Sequence, residues 1–301
     1  MSKNKSLLTQ NLSRRSVIKG GTVAALAASF PQIWIKESWA QGNFRNNPGS
    51  SGEIKLGFNY PQTGPYADEG ADEFRAYQLA VKHLNGEGDG GMLNTMKPSM
   101  LKGNGILGKK VVYATGDTQT NTDKARSSAK RLIEKDNVIM VTGGSSSGPA
   151  VAVQALCQEM GIIFMAGLTH SNDTTGKDKK RYGFRHFFNA YMSGQAIAPP
   201  LKAEMGTDRR AYHLTADYTW GWTQEESIKN ATEKLGWQTV QTVKTPVGAG
   251  DFSQYITPVL NSGADVLILN HYGKDMVNSL TQAVQFGLRD RQANGKNFEI
   301  V

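Results

Sequence analysis

Val138-Ile139-Met140-Val141-Thr142 runs directly into Gly143-Gly144-Ser145-Ser146-Ser147-Gly148 and on to Pro149-Ala150-Val151. A short apolar run closed by paired glycines reads as a buried strand. The proline predicts a helix opening at Pro149, a preferred first helical position. The segment is therefore strand, turn, helix, with the turn at the carboxyl end of the strand. Glycines there let backbone approach a ligand, and the free N–H groups of a helix start favour an anion. The spacing from Gly143 to Gly148 imitates a phosphate loop, but Pro149-Ala150 replaces the Lys-Ser/Thr that a nucleotide needs. A carboxylate is the expected guest, with the hydroxyls of Ser146 and Ser147 at hand. A plain capped turn remains the alternative, and Gly144-Ser145-Ser146-Ser147-Gly148 also satisfies the G-x-S-x-G pattern of serine hydrolases. On that reading Ser146 is the nucleophile, with Asp217 or Asp265 and then His271 completing the order.

Outward from this segment the same rhythm repeats. On the N-terminal side, Ile54–Asn59 and Lys110–Ala114 read as strands. One intervening helix carries Phe74, Tyr77, Val81 and Leu84 on one face; the other carries Ala125, Ala129, Leu132 and Ile133. Ile162–Ala166 is a fourth strand. After the aromatic and basic stretch Tyr182–Tyr191 the alternation resumes. A helix with Ile197, Leu201 and Met205 is disturbed by Pro199-Pro200. Strands Ala211–Ala216, Thr239–Thr245 and Val266–Asn270 follow. Their helices turn inward Ile228, Ala231 and Leu235, then Phe252, Ile256 and Val259, then Met276, Leu280 and Ala283. Phe298–Val301 reads as a further strand. Alternating strands and helices predict parallel sheets covered on both faces, hence two doubly wound α/β lobes, residues 53–188 and 189–301. The Gly-, Met- and Lys-rich stretch Asn85–Lys110 is expected as a surface excursion, in part helical.

The first forty residues read as an address. Ser13-Arg14-Arg15-Ser16-Val17-Ile18-Lys19 precedes a mildly apolar Gly/Ala-rich stretch, and Ser38-Trp39-Ala40 closes it with small residues at its first and third positions. The paired arginines match a twin-arginine export signal. Cleavage is expected after Ala40, leaving residues 41–52 as a linker and a periplasmic product. Of the net charge of +8 over 301 residues, five units belong to residues 1–40, so the remainder is only weakly basic and nothing in it calls for nucleic acid. Cys157 is the single cysteine, read as a small core residue, and the five histidines show no metal-ligand spacing. No metal, no cofactor, no catalysis and a monomer are the corresponding expectations.

In open α/β sheets ligands collect beyond the carboxyl ends of the strands. Four loops join the serine loop there: Pro61–Gly70, which contains Tyr66 and Glu69; Gly167-Leu168-Thr169-His170-Ser171-Asn172; Asp217-Tyr218-Thr219-Trp220-Gly221; and His271-Tyr272-Gly273.

In this order the loops, with Gly116-Asp117-Thr118 and Asp251-Phe252-Ser253, resemble the branched-chain amino-acid type of periplasmic substrate-binding protein that serves ABC transporters. The likeness runs from about residue 52 to the last residue. It implies a type I periplasmic-binding fold, incomplete at the C-terminus, that captures an amino-acid-like solute by hinge closure and delivers it to a membrane permease. It also implies that Ser147, the backbone of Leu168, and Thr169 grip a ligand carboxylate, with His170 or Ser171 nearby, and that Trp220 and Tyr272 supply aromatic contacts. Trp220, Glu69 and His170 depart from the residues usual in the family, which counts against a simple leucine-like ligand. The acid that normally holds the ligand ammonium is expected beyond the last strand. A sensor module of the same fold is the other reading.

Overall fold

The computed structural model describes residues 52–87 and 103–301. The address segment, its cleavage point, nearly all of the 41–52 linker and the middle of the Asn85–Lys110 excursion lie outside the described residues. None of the described helices is long and apolar enough to cross a membrane.

The first lobe is built on five parallel strands in the order β2-β1-β3-β4-β5. These are β1 (Glu53–Tyr60), β2 (Lys110–Asp117), β3 (Met140–Gly143), β4 (Ile163–Ala166) and β5 (Gly183–Arg185). β1 is an interior strand and, from Leu56 onward, buried on both faces, as a parallel strand covered by helices must be. Helix α1 (Ala67–Leu84) lays Phe74, Tyr77, Val81 and Leu84 on Ile54, Leu56, Phe58 and Tyr60, with Phe58 stacked on Tyr77 at 4.6 Å and Tyr60 on Phe74 at 4.9 Å. Helix α2 (Thr122–Glu134) is capped by Asn121, whose side chain accepts from the N–H groups of Asp123 and Lys124. It buries the four residues expected from its periodicity. Helix α3 (Ser147–Met160) completes this layer, with Cys157 fully buried in its core.

The second lobe holds four parallel strands in the order β11-β8-β6-β7. They are β6 (Arg210–Ala216), β7 (Gln238–Thr245), β8 (Val266–Asn270) and β11 (Glu299–Ile300). A small hairpin of β9 (Gln292–Ala293) and β10 (Lys296–Asn297) precedes β11. Helices α4 (Ala190–Met205), α5 (Thr219–Lys234), α6 (Ser253–Ile256) and α7 (Gly273–Gln285) cover the sheet.

Several expectations are corrected. Helix α3 opens at Ser147, so Pro149 is its third residue; N–H groups of a first turn have no intrahelical partner, and proline costs nothing there. The Tyr182–Tyr191 stretch is not merely a separator, since it contributes β5 to the first sheet. Helix α4 continues through Pro199-Pro200, held by its buried face: Gly194 sits so close to the Ser227 carbonyl of α5 that a Cβ would lie 2.6 Å from it. The helix of Phe252, Ile256 and Val259 is one α-turn passing into a 3-10 turn at Thr257–Asn261, because Pro258 has no N–H to continue the α pattern. Those three side chains are nonetheless core. Helix α7 buries Asp275, Ser279 and Ala283, while Leu280 is exposed; its inward face is polar because His271 and the Gly248 N–H supply partners there.

Candidate functional site

Both sheets point their carboxyl ends at one interface. In the first lobe the β1–α1 loop is pinned by Asp117, at the end of β2. Its carboxylate accepts from the N–H of Gln62 (2.9 Å) and of Gln119 (2.9 Å) and from Thr63 Oγ1 (2.7 Å). Burial pushes this acid upward, but the hydrogen bonds from Gln119, Thr63 and Gln62 prevail and hold it below its ordinary value. The pinned loop delivers Tyr66, 1% exposed, into the interface, where its ring meets Tyr272 edge-on at 5.2 Å and Tyr218 at 6.3 Å.

At the end of β3 the chain turns through Gly143 (φ +128°) and Gly144 (φ +89°). A Cβ on Gly143 would lie 2.3 Å from the Asn59 carbonyl, so only glycine lets the serine loop cross β1 this closely. Ser145 Oγ donates to Glu73 at 2.9 Å, and the Tyr77 hydroxyl donates to the other oxygen of that acid at 2.5 Å. Burial raises Glu73 above the usual carboxylate range, opposed by bonds from Tyr77, Ser145 and the Leu168 backbone. Ser147 Oγ accepts from the Ser171 N–H at 3.2 Å, tying this loop to the one after β4. Ser146 stands at the helix cap with no side-chain capping bond.

The loop after β4 is braced from below by Arg185 of β5. Its guanidinium donates to the carbonyls of Thr169 (2.5 Å), Ser171 and Phe188 and to Thr175 Oγ1 (3.2 Å). Thr169 is fully buried and its Oγ1 has no partner. The His170 ring lies flat on Phe188 at 4.3 Å, and its Nε2 is buried and unpartnered. Burial, helped by the Arg185 charge, lowers this histidine to about 4, so it is neutral at pH 7.

From the second lobe, the starts of α5 and α7 bring Tyr218, Trp220 and Tyr272, with Trp220 and Tyr272 at 6.2 Å. These three rings face Ser145, Ser147, Leu168 and His170 across a narrow cavity of about 10 Å³. Ser147, Leu168, His170, Trp220 and Tyr272, all singled out in the sequence, thus line one space. Thr169 is buried in the same loop and Tyr66 abuts Tyr272. Glu69 sits apart from the cavity lining, against Gly273, and Ser146 is also outside the lining. Reading the sequence missed Ser145 and Tyr218, each next to or within a quoted motif, and it missed Glu73 and Arg185. The spacing of Gly70, Glu73 and Tyr77 places that acid on the buried face of α1, a signal that was available. Arg185 gave none, because β5 was not read as a strand.

The hydrolase arrangement is not assembled. His271 Nε2 is bound to Thr245 Oγ1 (2.9 Å) and Nδ1 to Ser279 Oγ (2.8 Å), both in the second lobe. Asp265 is paired with Arg209 at 3.3 Å, and Asp217 accepts from Trp222 Nε1 at 2.8 Å. Among the described residues no group of three or more His, Cys, Asp or Glu is placed to hold a metal ion.

A hydroxyl-rich seam joins the lobes beside the cavity. Ser171 Oγ meets Thr219 Oγ1 at 2.8 Å, and Thr219 Oγ1 donates to Asp173 at 2.9 Å. Asn172 donates to Thr223 Oγ1 at 3.2 Å and to Ser227 Oγ at 3.1 Å.

Residues 53–295 match the family model described as Periplasmic binding protein. The chain belongs to that periplasmic binding protein family. Among relatives of this binding protein, Leu/Ile/Val-binding protein homolog 7 of Brucella abortus (strain 2308) is 26% identical over 246 residues, which covers 80% of this chain and 57% of the relative. The chain therefore spans a little over half the length of the curated relatives it matches. Among solved structures it resembles a solute binding protein of an ABC transporter from Rhodopseudomonas palustris BisB5 in complex with 3,4-dihydroxy benzoic acid (TM-score 0.67, 21% identity, 79% of this chain and 60% of that one). It also resembles the branched-chain amino acid transporter substrate binding protein LivJ from Streptococcus pneumoniae in complex with isoleucine (TM-score 0.64, 21% identity, 78% and 62%). These structural likenesses support the two-lobed α/β fold.

Proposed function

We propose that this chain is the extracytoplasmic solute-binding part of an ABC uptake system, and that it captures a small organic carboxylate between its lobes without transforming it. The observation that carries the reading is the cavity itself. It lies at the carboxyl ends of both sheets; His170 Nε2 in its wall is buried without a partner, as are Thr169 Oγ1 in the same loop and the hydroxyl of Tyr66, which abuts Tyr272. A buried polar group left unpaired costs roughly 1–3 kcal/mol, and three gathered at one interface fit an absent guest. The two ligands named for the structural neighbours, an aromatic acid and isoleucine, share only a carboxylate of the kind this loop chemistry suits.

The charge of the guest is met by dipoles rather than by a cation. His170 is neutral, so the N-terminus of α3, the Ser147 and Thr169 hydroxyls and the Leu168 backbone share the work. Closure then brings Tyr218, Trp220 and Tyr272 over the rest of the solute. It follows ligand binding only because these contacts exist in the closed state alone. Micromolar affinity needs about −8 kcal/mol, within reach of several charge-assisted bonds plus aromatic cover. An exported periplasmic location fits the family and the N-terminal address, and a membrane permease is the partner this role requires; the chain acts in it as a monomer of two lobes, residues 53–188 and 189–301. Calorimetry against amino acids and hydroxybenzoates tests the reading. The Ser147→Ala variant is expected to weaken the best ligand by roughly 1–3 kcal/mol, from the lost hydroxyl bond to a charge. Unchanged affinity removes Ser147 from the site, and no binding by any member of the panel removes the reading.

A further inference from the structure

Next to the cavity, on the other side of Tyr272, an acid from each lobe stands at the start of α7: Glu69 against Gly273, and Asp275 two residues further on. Glu69, from the first turn of α1, reaches the second lobe. A Cβ on Gly273 would lie 2.0 Å from its Oε1, and its Oε2 is buried without a partner. Asp275, 3% exposed in the first turn of α7, rests both oxygens on the single N–H of Gly248 at 3.1 and 2.9 Å. The Tyr66 phenol enters the same interface. It and the Tyr218 hydroxyl approach one another but not in hydrogen-bond geometry, which leaves the Tyr66 oxygen buried and unpartnered. Glu69 is felt by Tyr66, by Tyr272 and by Asp275, whose acidity is weakened first by burial and then by Glu69 itself. No lysine, arginine or histidine is hydrogen-bonded or ion-paired to either carboxylate among the described residues.

Neighbouring carboxylates repel, and a buried charge without a partner is unfavourable. They are also brought together only when the lobes close, since one stands on each lobe. The arrangement therefore opposes closure until something positive enters. We propose that Glu69 and Asp275, with the Tyr66 hydroxyl, form a cation-accepting subsite that takes a protonated amine at the end of the solute remote from its carboxylate. This rests on the carboxylate reading of the serine loop and narrows it, from small carboxylates in general to those with a distal basic group. Both the cavity and the acid pair share Tyr272, which lines the one and precedes the glycine that abuts the other. A proton shared between the two acids is the rival occupant.

Calorimetry on the full chain with two matched ligand pairs separates these. The pairs are L-lysine with L-norleucine, and 4-(aminomethyl)benzoate with 4-methylbenzoate; within each the members differ only in the distal amine. The aminated member is expected to bind at least tenfold more tightly. In Glu69→Gln that preference is expected to collapse toward unity, and Asp275→Asn gives a second, independent reading if the first variant folds poorly by circular dichroism. Equal or tighter binding of the amine-free members overturns the subsite while leaving the carboxylate cavity standing, as does a preference that survives both substitutions. Binding by none of the four, together with none of the wider panel of amino acids and hydroxybenzoates, overturns the underlying reading and this one with it.

Discussion

His213 and His271 are buried in the second lobe, and burial lowers each to about 4, in His213 with help from Lys229. A histidine whose folded value lies below its unfolded value of about 6.5 is protonated preferentially in the unfolded chain. Its contribution is complete above about pH 6.5 and is lost as pH falls toward 4. At pH 5 the loss is up to about 2 kcal/mol per histidine. Glu73 and Asp275, both raised by burial, act in the opposite sense, so the informative quantity is a difference in slope. Urea unfolding at pH 7 and pH 5 is expected to show a smaller acid loss in His213→Phe than in the unsubstituted chain; equal losses rule out a neutral buried His213. Such residues were not legible in the sequence. A histidine in a strand looks the same whether its ring is buried or solvated; Glu73, by contrast, shares the helical spacing of Gly70 and Tyr77 and could have been found. The site loops were legible because their glycines, hydroxyls and aromatics have few other uses at strand ends.

Among the elements, β5 is three residues long, yet it sets the position of the loop after β4 through Arg185. One guanidinium satisfies the carbonyls of Thr169, Ser171 and Phe188, which would otherwise be free to turn. Arg185→Ala is expected to weaken ligand binding by tenfold or more and to speed hydrogen exchange at the Ser171 amide. Arg185→Lys is not expected to rescue either, because an ammonium cannot reproduce the planar fork. Calorimetry and exchange mass spectrometry read both, and a fully active lysine variant refutes the bracing role. The type and order of the longer elements were readable from periodicity, most clearly in α2, whose four inward residues matched, while the short strands β5, β9 and β10 were not. What failed had local causes. Pro258 breaks an α pattern that apolar spacing continues, packing at Gly194 carries α4 through two prolines, and the polar inward face of α7 defeats any rule that seeks apolar residues.

At the scale of the whole molecule, the described chain passes between the two sheets once, from Arg185 to Ala190. The closed arrangement therefore depends on the seam of Ser171, Asn172, Asp173, Thr219, Thr223 and Ser227 and on whatever fills the cavity. Each seam bond contributes about 0.5–1.5 kcal/mol. Thr219→Val, which removes two of them, is expected to raise the ligand dissociation rate by roughly 5- to 100-fold if the whole loss falls on opening. Stopped-flow displacement measures this, and small-angle scattering is expected to show contraction when ligand is added; a dissociation rate equal to that of the unsubstituted chain shows that the seam does not hold the lobes. Both lobes also share a device at the rim. A Cβ on Gly70 would lie 1.8 Å from the Pro61 carbonyl, and one on Gly221 1.9 Å from that of Ala216. In each lobe the start of a helix is thus seated directly on the end of a strand. The seat of each rim helix on its own strand is written in main chain, where no side chain can act as a spacer. Tyr66, Trp220 and their neighbours can be exchanged for other shapes while the frame around them keeps its gauge.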